Sequence, residues 1–300
     1  MMKKYLTVFA ALCLAATFAF GQGSARVQAV DSLGLTISLP RAAQRVVSLS
    51  PASTEVLFAV GATVVGNTTY CIYPPEAANV AKIGGFTADS MSIEKILSLK
   101  PDLVVSAGLL HREATDELKR YGIPCFAYDP ADFDAIAAGI VAMGTLTGKR
   151  DAAALVASTM MAGIARVREI VAVIPESQRL TVFWEMYDDP IMTCGSATFQ
   201  HAIVAAAGGR DIFSDLPGSW PRVSAEEVIR RAPQVIMGAD DHGDRLTLAS
   251  IAARPGWNLI PAVRTGKVFL LPTGIVSAPG PRIAEGVLLA AKALYPRLFP

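Results

Sequence analysis

Three histidines, His111, His201 and His242, are the scarcest chemically versatile side chains of this 300-residue chain. A metal receptor built from them and an aspartate is one reading. His111 and His242 each follow a predicted strand, but His201 falls inside a predicted helix, and spacing alone does not gather ligands in space. Asp240-Asp241-His242-Gly243-Asp244 is the one dense polar cluster. Such charge runs are usually solvated loops. No G-x-S-x-G elbow, H-E-x-x-H pair or phosphate-binding G-x-x-x-x-G-K-[ST] loop is present, so the common catalytic motifs are missing.

Aromatic and thioether side chains offer a second kind of chemistry. Tyr70 sits in Thr68–Pro75, Phe86 follows Gly84-Gly85, Trp220 lies in Gly218-Ser219-Trp220-Pro221, and Met186 and Tyr187 follow a predicted strand ending at Trp184. Each taken singly reads as a local packing anchor. All five in Gly/Pro-bounded loops at strand ends suit stacking on a flat ligand. Glu94 and Glu226 form a third group. Ser92–Val105 and Ser224–Met237 share the order Ser-x-Glu, short amphipathic helix, Pro, strand, at an offset of 132 residues. Ser92 and Ser224 read as helix N-caps, and each Glu is either a first-turn charge or a carboxylate offered to a partner.

The elements that must position these residues alternate. Strands are predicted at 46–49, 64–65, 103–106 and 124–128, with helices at 54–60, 93–99 and 113–121 between or beside them, after a leader strand within 24–40. This is the pattern of an α/β domain. The stretch from Ala152 to Val173 is different: it holds one Gly and no Pro, and Asp151 precedes it as an N-cap. About 22 residues of helix span roughly 33 Å. Strand–helix alternation resumes after Pro175, with elements at 180–184, 199–207, 226–231, 235–237, 268–271 and 283–294. The expected fold is therefore α/β, two lobes joined by a single long helix, each lobe with its own core and the ligand in the cleft between them. The divisions are 1–21, 22–147, 148–175 and 176–300.

Residues 1–21 read as a cleavable signal peptide. Lys3 and Lys4 precede an apolar run from Leu6 to Phe20, and Ala19 and Gly21 supply small residues before Gln22. Cys13 is preceded by Leu12, not by the small residue a lipid-attachment site needs. Loss of two lysines and no acids takes the formal net charge from +1 to −1. A near-neutral chain has no electrostatic footprint for nucleic acid. Cys71, Cys125 and Cys194 have no C-x-x-C spacing and read as buried small hydrophobes.

Val46–Glu55, Tyr73-Pro74-Pro75, Glu94–Leu103 and Trp220–Glu226 together resemble the periplasmic binding proteins for cobalamin, ferric siderophores and haem. The similarity runs over about residues 44–297. It implies two Rossmann-like lobes on one linker helix (class III), a soluble periplasmic monomer, and no enzymatic activity. It also implies that Glu94 and Glu226 dock on arginines of an ABC permease dimer. The Tyr70 region, Phe86 and Trp220-Pro221 most resemble the cobalamin receptors, where aromatics contact the corrin.

The sequence departs from those receptors in two places. Ala107 stands where a cleft tryptophan is expected, and Pro272–Pro281 lacks the Asp and Arg that help to hold cobalamin. A corrinoid is the expected ligand, with a ferric siderophore or haem as the alternative, and no cofactor is called for. Haem receptors of this kind often place a tyrosine ligand near Phe86, and phenylalanine cannot ligate iron.

Overall fold

Short strands build two sheets, one before and one after a 22-residue helix, the first parallel throughout and the second parallel except for one strand. The computed structural model describes residues 26–239 and 246–299. An antiparallel hairpin, β1 (Val27–Val30) and β2 (Thr36–Leu39), replaces the single leader strand expected from the sequence. Asp31 makes the reversal by accepting from the Leu33 and Leu35 amides at 2.9 Å each.

The first sheet has the order β5-β4-β3-β6-β7. Its strands are β3 (Val46–Ser48), β4 (Val64–Asn67), β5 (Ala81–Lys82), β6 (Leu103–Ser106) and β7 (Cys125–Ala127), all parallel. Helices α1 (Pro51–Ala59), α2 (Ile93–Ser98) and α3 (Arg112–Arg120) connect them, and α4 (Phe133–Leu146) follows β7. The long helix α5 (Arg150–Val171) comes next. It begins two residues before the expected start, with Lys149 as N-cap and Asp151 inside the first turn, where its charge complements the helix dipole.

The second sheet contains β8 (Thr181–Asp188), β9 (Ile191–Thr193), β10 (Arg210–Asp211), β11 (Val235–Ala239) and β12 (Val268–Leu271), ordered β10-β8-β11-β12 with β9 antiparallel on β8. Around it lie α6 (Phe199–Ala206), α7 (Ala225–Arg231), α8 (Leu248–Ala252), α9 (Pro261–Arg264), α10 (Thr273–Val276) and α11 (Ile283–Leu294).

Both sheets are covered on both faces, as parallel sheets must be. Alternate residues divide accordingly. Val46 and Val105 join one cluster and Val47 and Val104 another; likewise Val182 and Trp184 part from Phe183. The inner faces do not keep the separate cores expected from the sequence. They merge through Met160, Ile164 and Val167 of α5 and Val287 of α11 into one continuous core. Each lobe retains a private cluster only on its outer face, around Val47, Ile83 and Leu118 in the first and Phe183, Phe213 and Trp257 in the second. No helix of the described residues is long and apolar enough to cross a membrane.

The duplicated motif has one backbone. Ser92 and Ser224 each cap a helix by accepting from the amide three residues on, at 3.1 and 3.2 Å. The helices then end in the only two non-glycine residues of positive φ among the described residues, Lys100 and Ala232, both at 48°. These residues are also 132 apart. Each precedes a proline, and the left-handed turn redirects the chain into β6 in one lobe and β11 in the other.

Candidate ligand cleft and docking carboxylates

Parallel strands send all their following loops to one edge, and ligand sites in open α/β sheets lie beyond that edge. In the first lobe the loop after β4 carries Tyr70, which is 62% exposed. A half-buried cation fixes the loop: the Lys82 ammonium donates to Asn67 Oδ1 at 2.7 Å, Ala77 O at 2.9 Å and Cys71 O at 3.2 Å. The loop after β5 carries Phe86, half-buried. Its ring meets Tyr70 edge-on at 6.4 Å and the His111 imidazole edge-on at 5.3 Å. After β6 come Ala107 and a 3-10 turn, Gly108–His111, that leaves Leu109 and Leu110 exposed. At the end of β3, Ser48, Ser53 and Thr54 form a buried chain of hydroxyls at 2.7 Å spacings, while Ser50 caps α1.

In the second lobe Trp220 and Tyr187 are 40% and 47% exposed, whereas Met186 is half-buried and packs against the shared core. Met186 and Tyr187 are not loop residues as expected. β8 continues to Asp188 because its last residues pair with β9. The Trp220 loop lies along β9: Gly195 N–H donates to Ser219 O at 2.8 Å, Thr193 N–H to Pro221 O at 3.1 Å and Val223 N–H to Ile191 O at 3.0 Å. Gly195 permits this approach, because a Cβ there would stand 2.0 Å from Gly218 O.

Contacts between the lobes were not foreseen from the sequence. Arg282, just before α11, donates from its backbone to Glu55 Oε1 at 2.9 Å and from its guanidinium to Oε2 at 2.8 and 3.0 Å. Glu55 is 4% exposed, and the guanidinium also covers the Tyr73 ring at 3.4 Å from its centroid. Tyr128 O–H donates to Pro279 O at 2.5 Å. Burial, with the Glu55 carboxylate beside it, pushes the Tyr128 hydroxyl well up and keeps it a donor. A cavity of about 360 Å³ opens beside this junction, lined by Glu55, Phe58, Tyr73, Pro74, Pro281 and Arg282 among others.

Glu94 and Glu226 are the second residues of α2 and α7, and both side chains are exposed. The Glu226 carboxyl lies below its ordinary range because its own backbone N–H and Ser224 donate to it.

The remaining polar candidates separate. His111 is fully buried and bonded to backbone. His201 is half-buried on α6, with Nδ1 2.9 Å from Asp211 Oδ2, and Cys194 Sγ lies 3.6 Å from the same oxygen. Burial, then the Asp211 charge, pushes the Cys194 thiol well up, which makes it inert. Asp240–Asp244, with His242, lies outside the described residues, as do the signal segment and Cys13. Among the described residues no group of three or more His, Cys, Asp or Glu could hold a metal ion. Cys71, Cys125 and Cys194 are free and buried.

Residues 46–273 match the family model described as periplasmic binding protein. An uncharacterized ABC transporter substrate-binding lipoprotein of Bacillus subtilis is 28% identical over 320 aligned positions, covering 99% of each chain. The vitamin B12-binding protein of Salmonella paratyphi A is 34% identical over 221, covering 72% of this chain and 81% of that one. Among solved structures, the periplasmic haem-binding protein RhuT from Roseiflexus superposes with a TM-score of 0.75 at 26% identity, covering 85% of this chain and 99% of that one.

Proposed function

The chain belongs to the periplasmic binding protein family, and we propose that it captures a corrinoid in the interlobe cleft and delivers it to an ABC permease. Within that family it is a substrate-binding component of an ABC importer, and the relatives it resembles are named as binding proteins. The observation that carries the corrinoid reading is aromatic. Tyr70 and Phe86 stand at the strand-end edge of one lobe, and Trp220 and Tyr187 at that of the other. Large flat faces from two sides suit a broad, rigid macrocycle, and stacking on them needs no turnover chemistry. Likeness to a vitamin B12-binding protein supports the same ligand.

Haem is the second reading, favoured by the likeness to RhuT. Phe86 weighs against it, because a haem site gains most from an axial oxygen or nitrogen ligand and His111 already spends both ring nitrogens on backbone. The protein as proposed is periplasmic, exported by the cleavable segment 1–21, and monomeric. Its lobes divide at the linker helix, residues 148–175. Glu94 and Glu226 meet arginines of the permease dimer, one from each lobe. Titration of the purified protein with cyanocobalamin, cobinamide, haemin and a ferric siderophore tests the ligand. Saturable binding of the two corrinoids is expected. Binding of haemin or the siderophore alone would overturn the corrinoid reading and leave the importer class standing.

A further inference from the structure

We propose that His111 is a positioning residue that holds Phe86 in place as one wall of the cleft. The inference rests on the reading of Phe86 as a ligand contact, and it concerns how that contact is made rigid. Ala107 N–H donates to His111 Nδ1 at 3.0 Å, so Nδ1 carries no proton. The proton is on Nε2, which donates to Phe86 O at 2.8 Å. One buried ring thus ties the loop after β6 to the loop after β5. Its edge also backs the Phe86 ring at 5.3 Å. Where Ala107 offers no aromatic surface of its own, this brace leaves Phe86 as the wall on its side of the lobe.

The brace is worth affinity because a side chain already fixed loses less freedom when ligand stacks on it. Nothing else needs the particular tautomer. An apolar filler would leave both the Ala107 amide and the Phe86 carbonyl without this partner, and His111 is too buried to meet solvent.

Two near-isosteric variants separate the bonds. In His111→Gln the amide group can take the place of Nε2–H and keep the bond to Phe86 O. In His111→Asn the side-chain oxygen can take the place of Nδ1 and keep the bond to Ala107 N–H, while the bond to Phe86 is lost. Affinity is read for cyanocobalamin and for haemin, using whichever the wild type binds. His111→Asn is expected to lose roughly 3- to 10-fold in affinity, and His111→Gln to stay near wild type. Amide hydrogen exchange of the ligand-free proteins is read in parallel. Faster exchange over residues 84–91 is expected in His111→Asn alone. Unchanged exchange there in the folded Asn variant, or equal affinity of all three proteins for the bound probe, overturns the proposal. If the wild type binds neither probe, the exchange data still decide the brace, and the ligand reading fails separately.

Discussion

Glu55 and Arg282 stand 227 residues apart in the chain and share three hydrogen bonds across the junction of the lobes. With Glu55 almost wholly buried, each member is costly without the other. Replacing Arg282 by Met should cost about 3–5 kcal/mol, since it strands a buried carboxylate. Glu55→Gln should cost a comparable amount. The double substitution Glu55→Gln with Arg282→Met should recover much of the loss, because no charge is left unpaired. Denaturant unfolding of the four proteins measures this. A double variant as unstable as the sum of the singles would show that the two residues act separately.

Trp220→Ala should weaken ligand binding by on the order of 1 kcal/mol beyond the lost contact area. Gly195→Ala should do nearly the same without touching the ligand, because a methyl group there collides with Gly218 O and pushes the Trp220 loop off β9. Calorimetric titration would report both. Full affinity in folded Trp220→Ala removes that ring from the cleft, and full affinity in Gly195→Ala shows that the loop has another place to rest.

Changing Glu94 and Glu226 together to Arg should leave ligand affinity nearly untouched and abolish uptake, by setting like charges against the permease arginines. The single changes should each give partial loss. Side-by-side titration and uptake assays read the two effects. Normal uptake by the double variant would reduce both glutamates to first-turn charges.

Burial lowers the His111 pKa below its ordinary 6.5, with the Phe86 carbonyl a smaller opposing influence. The folded state therefore favours the neutral ring. The stability this gives is complete above pH 6.5 and is lost as pH falls from there towards the folded value, because the unfolded chain takes up the proton first. Wild type should lose more stability than His111→Gln between pH 7 and pH 5. Parallel slopes for the two proteins would mean that His111 is not neutral in the folded state.

The shared core through α5 and the Glu55–Arg282 junction together resist opening. Free and ligand-bound forms should differ by small lobe rotations only. Strong contraction of the X-ray scattering profile on ligand addition would contradict this.

Local pattern carried most of the architecture. The long helix, the strand–helix alternation within each half and the repeated Ser-x-Glu unit were visible because each is written in contiguous residues, whereas the order of strands in each sheet, and β5, β9 and β10, were not. α4 was not visible. Its Gly139 and Gly144 weaken helix propensity, yet they let the helix press against Tyr128 and Ala153, where a Cβ would come within 2.3 and 2.2 Å. The strand assignment for β8 stopped at Trp184 because nothing in Glu185–Asp188 announces the partner β9. Of the candidate site, the exposure of Tyr70, Tyr187 and Trp220 near strand ends could be read directly. Arg282 could not, since its partner lies at the far end of the chain. His111 stood out by residue type only, as one member of a metal site that was weighed and not adopted, while the loop amide and carbonyl that occupy it have no signature in sequence.

The strands of the first sheet all precede α5 and those of the second all follow it, so the polypeptide passes from one lobe to the other once. Each half of the cleft, with one outward glutamate, is thus written in a single uninterrupted stretch of the gene. One recombination event within the α5 codons would exchange half of the proposed ligand wall and half of the proposed permease contact together. New specificities can then be sampled lobe by lobe, provided that the incoming partner brings a residue able to answer Glu55 or Arg282.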